Sequence, residues 1–218
     1  MKRYDPDLIR IFNKVFAPTT LEPINMSALF YPSAGLDLLT PIILGLPYCT
    51  EFHFYELCPE MVIRKDQRTK AFFSILSNIV GVKIKQSYWG DMKDEHLIQF
   101  HYDGIERIVR WVHKDNKDFL NKDVMLKFHF HRGDSHGEGG SGQFWDSELM
   151  PKLIEKVPKG VRGLFITDGN PGGLCQDLKE ISHEFKLPDS DRGNISGVYY
   201  FGSMFNTEKN KYQRVNWG

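Results

Sequence analysis

The fifteen residues HRGDSHGEGGSGQFW, His131 to Trp145, hold five glycines, two histidines, two carboxylates and two serines. Three readings fit them. In the first they form a lid or acceptor loop beside a ligand site. Glycines supply hinge freedom, and Asp134 or His136 acts as a general base that removes a proton from an acceptor. In the second, Asp134, His136 and Glu138 alternate as ligands for a divalent ion, and His129 and His131 alternate on the strand before them. Against that, the two strand histidines share one face and no histidine pair at i, i+4 supports them. The third is a solvated loop without chemistry. Arg132-Gly133-Asp134 spells an adhesion tripeptide by chance.

A smaller cluster, TDGNPGG, closes another apolar run with Asp168 and a sharp turn at Asn170 to Gly173. Tyr31, Tyr55, Tyr88, Trp89 and Trp145 fall near strand ends or loops, where they would stack on a planar ligand or pack as core and rim. Lys83, Lys85, Arg107 and Arg110 make a basic group that would face a phosphate-bearing substrate or simply water. No Gly-x-Ser-x-Gly elbow, Walker loop or HExxH helix occurs, which removes the commonest hydrolase, NTPase and metalloprotease readings.

Those residues need a scaffold, and 218 residues suffice for one domain with a sizeable core. A balance of 28 basic and 28 acidic side chains gives no global field for nucleic acid. No apolar run approaches the roughly 18 residues of a membrane span. The start MKRYDPDLIRIFNKVF does not read as a signal peptide, and the expected location is cytoplasmic. Three cysteines, Cys49, Cys58 and Cys175, lack CxxC spacing and suggest free thiols rather than a disulfide framework.

Along the chain, residues 1–25 read as a helix capped by Asp5, followed by a connection with Pro18 and Pro23. MSALFYPSAG is a short apolar strand running into a turn, LDLLTPIILGLP a helix in which Pro41 sits in the first turn or makes a kink, and CTEFHFYEL a second strand. DQRTKAFFSILSNIVG is a helix with Asp66 as cap, an apolar face of Phe72, Phe73, Leu76, Ile79 and Val80, and Gly81 as stop. Residues 82–113 form an inserted meander of three strands, with Asp103-Gly104 as a two-residue hairpin turn. DVMLKFHFH and GLFIT are buried strands. DSELMPKLIEKV, capped by Asp146 or Ser147, and LCQDLKEISHEF are helices, and two strands about a turn at 207–210 close the chain. The expected fold is a single three-layer Rossmann-like α/β sandwich, mostly parallel and ending in an antiparallel hairpin. Ligands then bind beyond the carboxyl ends of the strands.

On those strand ends the chain resembles class I S-adenosylmethionine-dependent methyltransferases. YPSAGLD stands where that family has its glycine loop, Glu56 in FHFYEL where it has the ribose-binding acid, and Asp115 in RWVHKDN where it has the adenine-side acid. The closing strands match its antiparallel end. The loop departs from the family in carrying one glycine, and no Asn-Pro-Pro-aromatic tetrad follows FHFH. The resemblance implies S-adenosylmethionine as cofactor, held by Tyr31, Ser33, Gly35, Asp37 and Glu56 with Asp115. It also implies an unidentified methyl acceptor served by Asp134 or His136. Asp37 reads alternatively as a helix cap. Two other functions stay open: a metal-dependent hydrolase on Asp134, His136 and Glu138, and a non-catalytic ligand-binding module that keeps the fold.

Overall fold

The computed structural model describes residues 27–34, 38–46, 48–57, 65–89, 94–131, 149–158, 163–167, 179–180, 197–201, 205–206 and 211–212. The expected helix within 1–25, the loop after His131 as far as residue 148, and the TDGNPGG turn lie outside them.

Among the described residues nine strands form the main sheet: β1 (Ser27–Tyr31), β2 (Glu51–Tyr55), β3 (Lys83–Trp89), β4 (Glu95–Tyr102), β5 (Ile105–Val112), β6 (Met125–His131), β7 (Gly163–Thr167), β8 (Lys179–Glu180) and β9 (Gly197–Phe201). Their order is β3-β4-β5-β2-β1-β6-β7-β9-β8. The five central strands, β5, β2, β1, β6 and β7, are parallel, and both edges are antiparallel. Taken in chain order, the parallel set lies third, second, first, fourth, fifth. This is the doubly wound arrangement, and the order reverses between β1 and β6.

Helices lie on both faces. Helices α1 (Leu39–Gly45) and α2 (Lys65–Asn78) cover one, through Leu39, Ile42, Phe72 and Leu76 against Phe52, Phe54, Phe128 and Phe130. On the other, a 3-10 helix (Asn116–Asn121) and α3 (Leu149–Glu155) bring Phe119, Leu153 and Ile154 onto Phe30 and Phe165. Each fully buried aromatic ring contributes about 2–3 kcal/mol of transfer free energy. Close approach of α1 to the sheet requires Gly45, where a Cβ would lie 2.6 Å from the Phe52 ring.

Several elements differ from the sequence expectation. Strand β5 is the third strand of the meander and also pairs in parallel with β2, so only β3 and β4 are appended to the edge. Asp103 and Gly104 both have positive φ, 52° and 73°, as the tight hairpin turn requires. Helix α2 begins at Lys65, which puts Asp66 inside the first turn rather than at the cap. Its expected apolar face is buried at Phe72, Leu76 and Ile79, but Val80 is exposed beyond the last turn. Helix α1 carries Pro41 in its first turn. Leu38, not Asp37, occupies its N-cap, with no side-chain cap.

The C-terminal part is rearranged most. LCQDLKEISHEF was expected to be helical, yet Lys179–Glu180 is a strand paired antiparallel with β9. Strand β9 enters the main sheet between β7 and β8, while β10 (Phe205–Asn206) and β11 (Lys211–Tyr212) form a separate two-stranded sheet. The antiparallel close of the main sheet is therefore β7-β9-β8, not the last hairpin. Among the described residues no helix is long and apolar enough to cross a membrane.

Candidate functional site

The strand order puts the expected ligand position at the carboxyl ends of β1, β2, β5 and β6. Three chain segments from separate parts of the sequence meet there. After β1 the chain turns through Pro32 and Ser33, and the Ala34 N–H donates to the Tyr55 carbonyl at 3.0 Å. After β2 the Glu56 N–H donates to the Val112 carbonyl at 3.0 Å, tying that end to β5. The Glu56 carbonyl in turn accepts from His113 Nδ1 at 2.9 Å, which fixes the tautomer of that ring. Glu56 is buried, whereas the next residue, Leu57, is 55% exposed, so the chain surfaces immediately beyond the carboxylate.

The loop after β1 holds an unusual backbone. Ser33 has φ of 51°, a left-handed conformation that disfavours any residue with a Cβ. Its N–H donates to Asn116 Oδ1 at 3.3 Å, and the Asn116 amide donates to Ser33 Oγ at 3.3 Å. Asn116 is buried and opens the 3-10 helix that follows β5. Asp115 is the N-cap of that helix, accepting the Lys117 N–H at 2.8 Å. Sequence reasoning named Asp115 and passed over Asn116. The available signal was an Asp-Asn pair directly after a strand end.

Of the predicted donor-site residues, the structure thus brings Ser33, Glu56 and Asp115 to the carboxyl ends of the neighbouring strands β1, β2 and β5. Gly35 and Asp37 lie outside the described residues. Tyr31 is placed differently: it is buried in the core against Phe54 and Phe130, with ring centroids 6.0 and 4.9 Å away, rather than presenting a face to a ligand. Tyr55 is likewise core, edge-on to Phe30 and Phe119. Tyr88 is exposed, and Trp145 lies outside the described residues.

Asp134, His136 and Glu138, the candidate bases and ligands, also lie outside them. The two strand histidines are described. His129 and His131 sit on one face of β6 with ring centroids 6.0 Å apart, both buried. His129 is stacked between Phe30 and Phe165, at 5.7 and 4.8 Å. Burial, followed by the neighbouring His131, holds its pKa well below the usual imidazole value. Among the described residues no group of three or more His, Cys, Asp or Glu side chains is placed to hold a metal ion.

The basic meander is not a single anion-binding patch. Arg107 is buried, with its guanidinium donating to the carbonyls of Leu46, Cys49, Tyr102 and Ile105. Arg110 bonds Glu51 at 2.9 Å and Glu95 at 3.1 Å. Lys85 pairs with Glu106 on the surface at 2.7 Å. Lys83 lines a cleft of about 500 Å³ with Gly81, His101, Asp103 and Gly104. That cleft lies at the hairpin turn leading into β5, the opposite end of that strand from the expected ligand position. The Cys49 thiol is buried and its pKa is pushed up by that burial, as an inert structural thiol requires.

No protein-family model matches this sequence, and no curated protein matches it. Solved structures do. The chain is similar to MtNAS in complex with MTA and tNA, at 10% identity and a TM-score of 0.43, over 90% of this chain and 59% of that one. It is similar to Trm1 from Pyrococcus horikoshii with S-adenosyl-L-methionine, at 12% identity and a TM-score of 0.37, over 74% and 34%. A putative methyltransferase, yhhF, from Escherichia coli aligns at 11% identity and a TM-score of 0.34, over 90% and 85%. The chain thus spans about three fifths of the length of MtNAS and a third of Trm1. Likenesses this distant add no chemistry, and the Rossmann-like α/β fold rests on the order and direction of the strands.

Proposed function

We propose that the crevice at the ends of β1, β2 and β5 binds S-adenosylmethionine and that the protein is a methyltransferase. The observation that carries this reading is the joining of the Ser33–Ala34 turn, Glu56 and the Asp115–Asn116 pair at one sheet edge through direct hydrogen bonds. A carboxylate at the end of the second parallel strand is suited to accept both ribose hydroxyls of a bound nucleoside. The Ser33 hydroxyl, whose oxygen accepts from Asn116, retains its own proton to donate to the donor's carboxylate.

Methyl transfer is a direct displacement. The acceptor's lone pair forms the new bond to the methyl carbon while the sulfur–carbon pair returns to sulfur, converting the sulfonium to a neutral thioether. The protein's contribution is to align donor and acceptor. A base is needed only where the acceptor carries a proton, and Asp134 or His136, in the segment after β6, is the residue proposed for it.

Calorimetric titration with S-adenosylmethionine and S-adenosylhomocysteine, with and without a chelator, is the test. Micromolar binding that ignores the chelator is expected. Glu56→Ala should weaken it about tenfold to a hundredfold, the effect of losing a charge-assisted hydrogen-bond acceptor. Unchanged affinity in a folded Glu56→Ala variant removes the ribose from Glu56. Tight donor binding with no methyl transfer to any acceptor points instead to the non-catalytic module.

A further inference from the structure

Ser33 occupies a backbone conformation that glycine adopts freely and other residues resist. Two hydrogen bonds to Asn116 act on that residue itself, beside the Ala34 N–H bond to the Tyr55 carbonyl that ties the next position. Both are 3.3 Å, at the long end of the range, but they act on the same residue in a closed pair. The orientation of the amide is fixed by its partner, because the Ser33 N–H can only donate and so must meet Asn116 Oδ1. Eighty-three positions separate the two residues in sequence.

Asn116 is itself held from two sides. Asp115 caps the 3-10 helix at its first turn, and Phe119, one turn further on, stacks on Phe30 of β1 with ring centroids 4.0 Å apart and planes 9° from parallel. The helix after β5 is therefore locked onto the very strand whose loop Asn116 grips. Resting on the donor-site reading above, we infer that Asn116 is a positioning residue. It sets the backbone of the loop after β1 for the donor, in place of a glycine at Ser33. Asp115 then acts through Asn116, as the cap that holds it, rather than as an acid on the ligand.

A four-protein cycle tests this: wild type, Ser33→Gly, Asn116→Ala and the double variant, each measured for melting temperature and for S-adenosylhomocysteine affinity. Asn116→Ala should lower the melting temperature by about 4 °C, the scale of one or two modest hydrogen bonds in a chain of this size. It should weaken S-adenosylhomocysteine about tenfold. Ser33→Gly loses the hydroxyl and should weaken affinity by about threefold to tenfold, but Asn116→Ala added to it should cost no further affinity, because glycine needs no clamp. Additive melting shifts across the cycle overturn the clamp. Coupled melting with affinity untouched by Asn116→Ala overturns the positioning role and leaves a structural contact only. If the wild type binds neither S-adenosylmethionine nor S-adenosylhomocysteine, the donor reading fails, and the melting cycle alone decides whether Asn116 sets the loop. Should Asn116→Ala not fold, Asn116→Asp, which keeps the acceptor for Ser33 and loses the donor, runs the same cycle.

Discussion

Strands β2 and β6 present two different chemistries on their two sides. Toward α1 and α2 they place Phe52, Phe54, Phe128 and Phe130, a buried all-aromatic layer. Toward the 3-10 helix and α3 the alternate positions are Glu51, His53 and Tyr55 on β2, and His129 and His131 on β6. The second face is buried just as deeply at the histidines, yet it is built from groups that titrate. His53 Nε2 bonds Glu51, whose carboxylate also takes the Arg110 guanidinium, and Arg110 reaches on to Glu95. On β2 and β6, one face is held by packing alone and the other by packing whose worth depends on protonation.

Truncation on the aromatic face should give the largest effect. Phe54 is fully buried between Tyr31 and Phe72, with ring centroids 6.0 and 5.4 Å away. Phe54→Ala removes that ring and leaves a cavity, at a cost of about 3–5 kcal/mol. Chemical denaturation should show this loss equally at pH 5.5 and pH 8. A strong pH dependence of the difference would mean that the two faces are not separable.

Acid should act on the polar face and, on the aromatic side, at His96 of β4, which burial holds below the usual imidazole pKa. Burial holds His53 below the usual imidazole pKa of 6.5, and His129 well below it. The unfolded chain gains protons as pH falls through that value while the folded chain does not, so stability is lost progressively below about pH 6.5. By pH 5 this amounts to at most about 2 kcal/mol at His129 and less at His53, where the Glu51 carboxylate opposes the lowering. Glu51 adds a second stage. The hydrogen bond from His53, and then Arg110, lower its pKa from 4.5 to about 2, so its contribution is present above 4.5 and fades as pH falls toward 2. That stage is worth about 1–2 kcal/mol once solvent screening at a partly exposed carboxylate is allowed for. Melting temperature against pH for wild type and His129→Phe checks the first stage. The variant keeps a ring between Phe30 and Phe165 and should lose the largest single share of the slope between pH 6.5 and 5. An unchanged slope would remove His129 from the account.

Much of this contrast is legible in the chain. EFHFY and MLKFHFH alternate at period two, and an apolar residue at every second position marks one face. The hairpin turn at Asp103-Gly104 and the parallel centre with antiparallel edges follow from equally local signals. Arg107 carried a signal that was not used: it falls in phase with the buried Val109 and Trp111 in IERIVRWV, so it had to enter the core and find acceptors there. The remaining differences have no local trace. A two-residue strand such as β8 shows no periodicity, and the helical pattern of its surroundings prevailed. The Ser33–Asn116 pair spans 83 positions, and only the meeting of two strand ends creates it. Site residues on strand ends could be placed by rule, whereas the residue that orients them belongs to another strand's exit.

The smallest predicted effect bears on whether the polar face is packed or wet. The Tyr55 hydroxyl is buried and has no hydrogen-bond partner among the described residues. Its ring meets Phe30 and Phe119 edge-on at 5.6 and 6.1 Å, contacts that phenylalanine would keep. Burial also raises the hydroxyl's pKa, so it stays protonated and brings an unanswered donor into the core. Tyr55→Phe removes that donor without opening space for another side chain. Stability should therefore hold or rise by up to about 1 kcal/mol, a melting increase of about 2–4 °C. A fall of similar size would show that the hydroxyl is satisfied by water or by a bound group. The face beneath the crevice would then be a hydrated chamber continuous with the ligand site rather than a second dry layer.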